Sequence, residues 1–527
     1  MPLSRQLRYE KQCRQNWKDN ATQKQEKIRE YVQANRALKK SRDAWKAKAI
    51  EAKKQIKDLE KQVKLLKKTL ASSSSSSSSS SQKTTVNYTE ETDRTDTDDD
   101  SGVFYHQYSL STIFVAVQQV ITAGHSYRST ANSLELFSSF SNLGSPHFTT
   151  IKSWVERLGL YELTRPKQKR DDWIFIADFT VELGQEKAFV IYGIPHKYWL
   201  HNILPQRRAL KYTDGQILAL EITTSPTGEW VQSVLNSVSS RVGIPFQIIS
   251  DHASNLKKDI QLFQSHHPSI IYTYDLTHAM DKLLEKELFA DELFPNFLSD
   301  CHQCRLEIQQ TEFAFATPPP QRSKSRFFNL DPLLRWATTL VSIPLLKFFK
   351  LLPNYHRDRI SRRFFAKFSW LFRYQRHIKL WSLLLHMTRS LETLLKTYGL
   401  NSASIYLYHQ YLSSLHLPSS FLPFQHQIFH YLHSQLPSHI SHTILPSSDI
   451  LESIFGRYKH FSQRSPLQEL RSLLLTIPLS TVNLTKQFIH DALTTITNSD
   501  LSQWVDSTFG QSMLSKRNSL FSNNKFS

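Results

Sequence analysis

The residues best suited to chemistry in this chain are two aspartates in apolar runs and one glutamate in a helix-like segment. Asp178 sits inside Trp173-Ile174-Phe175-Ile176-Ala177-Asp178-Phe179-Thr180-Val181, and Asp251 ends Pro245-Phe246-Gln247-Ile248-Ile249-Ser250-Asp251. Glu452 lies near the start of Ser448-Asp449-Ile450-Leu451-Glu452-Ser453-Ile454-Phe455-Gly456-Arg457-Tyr458-Lys459. Three carboxylates of this kind can cage divalent ions, since magnesium takes oxygen ligands and retains waters that a substrate phosphate can replace. The chain carries a formal net charge of +19 and a pI near 9.6. Such an excess favours polyanions, so the cage points to cutting or joining nucleic acid. Simpler roles compete at each position. Asp251 could cap the helix that follows it, while Asp449 and Glu469 are alternatives to Glu452, with Asp449 suited to an N-cap.

The elements that must position these residues are strands and helices in alternation. Strands are expected at 172–182, 187–194, 216–224, 245–251 and 269–275, with helices at 228–242 and Ala253–Gln264. Three successive strands, then helix, strand, helix and strand, predict a mixed sheet in an α/β layer. Neighbouring strands would bring Asp178 and Asp251 close enough to share a metal, and a helix at the sheet edge could deliver Glu452. From Leu276 to about Ser441 the strand signals vanish and Leu-, Phe- and His-rich helical segments take over, so an all-helical insertion at 291–445 is expected to interrupt a core formed by 170–290 and 446–505.

Upstream, residues 1–71 are basic and free of glycine, and a heptad register runs through Ile28, Leu38, Trp45, Ile56, Leu59, Leu66 and Leu70. This predicts a coiled coil that pairs protomers, with Asn35 and Arg42 as polar core positions able to fix partner number. The serine tract Ser72–Ser81 and the acidic stretch Glu90–Asp100 form an expected flexible linker over 72–103. Residues 104–165 suggest a helix-turn-helix, with helices over Ser111–Ala123 and Ser129–Ser139 and a third that opens on threonines 149 and 150 and ends at Gly159. Thr149, Lys152, Ser153 and Arg157 would face DNA. The tail, 506–527, is expected to be disordered.

Other features exclude more than they assign. Three cysteines, Cys13, Cys301 and Cys304, cannot make a disulfide framework and suit a reducing compartment. Cys301 and Cys304 lack a second pair to complete a structural zinc site. The charged N-terminus shows no apolar signal segment. Leu333–Leu352 is apolar but interrupted by Arg335, Pro344, Lys347 and Lys350, so a buried helix pair is expected instead of a membrane span. Between Arg357 and Lys379 basic residues, Arg362 and Arg363 among them, alternate with Phe364, Phe365, Trp370, Phe372 and Tyr374. The spacing assigns the aromatics to a core and the cations to DNA backbone.

Taken in order, these motifs resemble the DDE transposases, whose catalytic fold is ribonuclease-H-like. The likeness covers about 105–500. It lies in Asp178 on the first strand, in Ser250-Asp251-His252-Ala253-Ser254-Asn255 after the fourth, in the segment around Glu452, and in Asp275-Leu276-Thr277-His278, similar to the family's Asp/Cys-x-x-His motif. The resemblance implies Asp178, Asp251 and Glu452 as ligands of two Mg2+ ions, with Mn2+ able to substitute, clamping the attacking and leaving oxygens of a phosphoryl displacement. It implies supporting roles for Asp275, His278 and Arg457, and as partners the terminal inverted repeats and a target DNA. It places the chain in the cytoplasm on a nucleoid, or in a nucleus. A ribonuclease-H-like nuclease without strand transfer and a domesticated, non-catalytic DNA-binding protein are the alternatives.

Overall fold

A computed structural model describes residues 106–522, apart from 184–185, 225–226, 252–253, 321–328, 353–355, 437–441 and 463–470. The expected coiled coil and the serine-rich linker lie outside the described residues. Five strands form one mixed sheet within a mainly helical chain: β1 Trp173–Leu183, β2 Glu186–Pro195, β3 Gln216–Thr223, β4 Gln247–Ser250 and β5 Ile271–Tyr274. Their order is β3-β2-β1-β4-β5, with β1, β2 and β3 antiparallel and β1, β4 and β5 parallel.

The longer helices, numbered from α1, begin with α1 Leu110–Ile121, α2 Tyr127–Phe137 and α3 Phe148–Thr164 ahead of the sheet. The crossovers are α4 Gly228–Val242 and α5 Ser254–His266. Then come α6 Leu276–Ala290, α7 Leu293–Ile308, α8 Leu330–Ser342, α9 Leu345–Leu351, α10 Arg357–Phe368, α11 Gln375–Tyr398, α12 Ser402–Ser414 and α13 Leu422–Gln435. The chain returns to the sheet in α14 Asp449–Ser462, followed by α15 Lys486–Thr495, α16 Asn498–Phe509 and α17 Met513–Ser522.

Side chains alternate across a strand, so each sheet face gathers its own core. Trp173, Phe175 and Ala177 of β1 pack with Val231, Leu235 and Val238 of α4 and with Ile260 and Phe263 of α5. Ile174 and Ile176 turn the other way, onto Leu451, Ile454, Phe455 and Tyr458 of α14. Burial of such side chains contributes about 1.5–3 kcal/mol each, enough to hold α14 on the sheet. Residues 271–444 share a separate apolar cluster built from α6 to α13. The Leu333–Leu352 stretch is two helices, α8 and α9, separated at Ile343 and Pro344. Among the described residues no helix is long and apolar enough to cross a membrane.

Several local expectations need correction. The helix expected to stop at Gly159 runs on to Thr164. Gly159 serves close approach, not capping: a Cβ there would lie 2.1 Å from the Leu475 carbonyl oxygen. The N-cap of α3 is His147, whose ring nitrogen accepts from the Thr149 amide, not a threonine. The core of α1, α2 and α3 is completed by Leu479, Leu484, Ile489 and Leu493, so these helices pack against segments from beyond α14. In the expected tail, residues 513–522 are helical, started by Ser512 Oγ accepting from the Ser515 amide at 2.9 Å. Met513, Leu514, Leu520 and Phe521 share one side of that helix, but Arg517 interrupts them and all four are exposed.

Candidate active site

The parallel ladder between β1 and β4 pairs Ile174 with Gln247, Phe175 with Ile248 and Ile176 with Ile249. Continued by two residues, that register sets Asp178 level with Asp251, on strands about 4.8 Å apart. The β4–β5 ladder pairs Ser250 with Tyr274, so one step further Asp251 stands beside Asp275. Asp178 on β1, Asp251 just past β4 and Asp275 just past β5 thus form a row along the sheet. Period-two alternation gives Asp178 the face of Ile174 and Ile176, which is the face covered by α14. Asp178 and Asp251 are both half-buried, and Asp178 Oδ1 accepts from the Phe179 amide at 2.7 Å. The β1–β2 register shifts between Thr180 and Glu182, a bulge two residues past Asp178 of the kind that re-aims side chains beside active sites.

Glu452 lies 201 residues beyond Asp251, and a strap over 443–449 returns it to the sheet. The Thr443 carbonyl contacts His196 Nε2 at 2.8 Å, and Ile444 forms an antiparallel bridge with Leu400. Wholly buried Gln247 reads both backbone groups of Leu445: its Nε2 donates to the carbonyl at 2.7 Å, and its Oε1 accepts from the amide at 3.2 Å. The same Nε2 donates to Thr273 Oγ1 at 2.9 Å. The Leu276 amide donates to the Pro446 carbonyl at 2.9 Å. Ser448 donates to Asp275 Oδ2 from its amide at 2.6 Å and its hydroxyl at 2.9 Å. At Asp449, which opens α14, the carboxylate accepts from Thr277 Oγ1 at 2.9 Å and pairs with Lys396 of α11 at 2.5 Å. Glu452 follows one turn later.

Asp275 caps α6 and is fully buried. Burial alone would raise its pKa, but the bonds from His278 and Ser448 outweigh that and hold it below the usual carboxylate value. His278 donates to Asp275 Oδ1 from its amide at 2.8 Å and from Nδ1 at 2.7 Å. An ionised carboxylate only accepts, so Nδ1 carries the proton. Nε2 then faces Glu452 Oε1 at 3.6 Å. The Asp275–His278–Glu452 series therefore links the end of β5 to α14. Glu452 also lines a cleft of about 620 Å³ together with Thr277, Arg389, Glu392 and Lys396.

Among the described residues no three His, Cys, Asp or Glu side chains stand close enough together to hold a metal ion ready-made. The continued register sets Asp178 and Asp251 at neighbouring strand positions, and Glu452 faces His278. The donors nevertheless suit a hard divalent ion: they are carboxylates, and all three are only partly buried, which leaves room for water and phosphate oxygens.

The other expected residues are dispersed. Arg457 is half-buried, its guanidinium 5.5 Å above the Tyr212 ring, and burial lowers its pKa. This position braces α14 against the β2–β3 connection, whose Tyr212 hydroxyl also meets Ser453 Oγ at 2.8 Å. On α3, Thr149 and Lys152 are exposed, while Ser153 donates to Asn498 Oδ1 at 2.6 Å. Arg157 is buried and cannot face DNA as expected. Its Nε and Nη2 donate to the carbonyls of Ile496 and Leu493, both at 2.6 Å, because α15 and α16 pack over that face. Arg362 is exposed, whereas Arg363 pairs with Glu312 at 2.8 Å. Cys301 and Cys304 are both buried, and burial pushes the Cys304 thiol up to about 11. The residues missed by sequence reasoning are Gln247, Thr277, Lys396 and Ser448. Gln247 alone carries a signal, an uncharged polar side chain inside an apolar strand run, which implies a buried partner.

No family model matches the chain, and no curated protein matches it either.

Proposed function

We propose that this chain is a DNA transposase that cleaves the ends of its mobile element and joins the freed 3′-hydroxyl to target DNA. The observation that carries this reading is the shared register of Asp178 and Asp251 on the sheet face covered by the helix of Glu452. The sheet supports a ribonuclease-H-like catalytic fold, with three strands in succession, two more parallel to the first, Asp178 on the first and Asp251 just past the end of the fourth. The formal net charge of +19 supports DNA as the partner.

In this reading Asp178 and Asp251 hold Mg2+, or Mn2+ in its place, and Glu452 joins them from α14. When bound, two such ions supply charge stabilisation to the attacking and leaving oxygens of a phosphoryl displacement. Asp275 holds the His278 imidazole through Nδ1, and Nε2, 3.6 Å from Glu452 Oε1, attracts that carboxylate when it is protonated as well. The strap fixes the start of α14, so the glutamate is positioned by buried hydrogen bonds instead of by a loop. Thr149 and Lys152 serve contact with the inverted repeats, and Arg362 contact with the DNA backbone. Residues 1–71 pair protomers.

The test uses the full chain, end-labelled DNA carrying the inverted repeats that flank its coding sequence, and Mg2+ or Mn2+. Cleaved and joined products are expected, falling at least about a hundredfold in Asp178→Asn, Asp251→Asn and Glu452→Gln. Joining that survives in Asp251→Asn or Glu452→Gln sinks the site. Cleavage without joining favours a nuclease, and binding with no metal-dependent cleavage favours a non-catalytic DNA-binding protein.

A further inference from the structure

The aromatic residues of the basic block do not all enter the core. Phe364 and Tyr374 are buried, but Phe365 is 46% exposed and Phe372 39% exposed. Arg362, Phe365, Ser369, Phe372 and Arg376 follow at steps of three and four along α10, the turn after it and the start of α11, and every one is exposed. Ser369–Tyr374 is a 3-10 helix, so the row is an exposed side shared by three consecutive helical pieces. The two phenylalanine rings meet across it, with centroids 6.5 Å apart and planes inclined by 33°.

Charge on this stretch is one-sided. Between Arg357 and Lys379 there are eight Lys or Arg and one acidic residue, Asp358, so the segment carries +7. Arg363, Lys367 and Arg373 are paired with acids of α7 or the segment after it. Arg362 and Arg376, which bracket the phenylalanines, make no ion pair among the described residues. A face that only packed against protein would not need a cation at each end of an apolar pair. Phosphates at the ends and flat apolar rings at the centre match an unpaired nucleic-acid strand, whose bases offer π-faces that a duplex keeps stacked.

We propose that this outer face binds unpaired DNA, with Phe365 and Phe372 as a platform for bases and Arg362 and Arg376 on the flanking phosphates. The choice of DNA rests on the transposase reading; the stacking chemistry does not.

The experiment uses the full chain in EDTA, so that no cleavage intervenes. Fluorescence anisotropy compares a short single-stranded oligodeoxynucleotide with the same strand carrying abasic sites, for the wild type and Phe365→Ala/Phe372→Ala. Both side chains are exposed, so the variant should fold, which circular dichroism checks. The wild type should prefer the base-bearing strand by about five- to 150-fold, the range carried by a base–aromatic stack, and the variant should lose that preference. Arg362→Ala/Arg376→Ala should weaken both strands alike and reduce the salt dependence. The proposal is overturned if the variant retains the wild-type preference for bases. It is equally overturned if the alanines abolish only self-association, seen by size exclusion, or only binding to phosphatidylserine vesicles. Because the assay needs no catalysis, an inactive enzyme that passes it would remove the transposase reading and leave the platform standing.

Discussion

Replacing Gln247 with leucine tests whether the strap positions Glu452. Leucine matches the apolar surroundings but removes three hydrogen bonds, two of them to Leu445 and one to Thr273. The Leu445 amide and carbonyl would lose these partners in a buried setting, at about 1–3 kcal/mol for each group left unsatisfied. Thr273 can re-aim its hydroxyl, so the total should be roughly 2–5 kcal/mol. The loss should be local at first, because Pro446 and Ser448 keep their own bonds. Hydrogen exchange of the full chain should therefore quicken at 443–455 before it quickens in β1. Urea unfolding should report the global share, and DNA joining should lose turnover with little change in DNA affinity. Thr273→Val, which leaves one buried Gln247 Nε2 hydrogen without its acceptor, should cost about 1–3 kcal/mol and leave the two bonds to Leu445 in place. Wild-type protection across 443–455 in Gln247→Leu, or a stability change below about 0.5 kcal/mol, would refute the reasoning.

Three further outcomes are expected. Gly159→Ala should destabilise by about 3 kcal/mol or more in thermal unfolding, since its Cβ would overlap the Leu475 carbonyl, and an unchanged midpoint would show that α3 can shift. Arg157→Leu should cost about 2–4 kcal/mol by stranding the Leu493 and Ile496 carbonyls, while duplex affinity per folded molecule stays at the wild-type level; a selective loss of DNA binding would return Arg157 to the DNA face. Burial, opposed mainly by Arg389, raises the Glu392 pKa from 4.5 to about 7, so the fold favours the neutral acid. Its contribution is complete below the unfolded value and is lost as pH rises through 7, a difference of about 3 kcal/mol. Glu392→Gln should accordingly match the wild type most closely below pH 4.5 and exceed it by up to that amount at pH 8, with Arg389 still paired to Asp281 and Asp331. Equal effects at the two pH values would overturn that account.

Periodicity made the sheet legible. Apolar runs bounded by turn residues placed all five strands within about three residues of their ends, because a buried strand has little freedom in composition. The nearness of Asp178 and Asp251 followed from strand adjacency, although their register did not. The membership of Asp275 in the same row was hidden, since ladder offsets depend on crossovers that local sequence does not encode. The place of Glu452 was legible only through resemblance, because its geometry depends on a strap closed by residues 198 positions apart, such as Gln247 and Leu445. Helical spacing correctly buried Phe364 and Tyr374 but also assigned Phe365 and Phe372 to the core. Their exposure depends on which helix faces find neighbours, a tertiary fact. Arg157 failed for the same reason, in the opposite direction.

The bond from the Leu276 amide to the Pro446 carbonyl joins residues 170 positions apart in the chain. The intervening polypeptide leaves and returns beside β5, and Tyr431 and Gln435 of α13 also bond the Tyr274 backbone there. Loop-closure cost rises only with the logarithm of length, so growth from about ten residues to this size adds roughly 2.5 kcal/mol. Such an arrangement would let the passage change in length while the aspartate row and the glutamate helix keep their places. Length variation among any homologues should therefore concentrate between these two residues, and a homologue with a much shorter passage there should still align Asp178, Asp251 and Glu452.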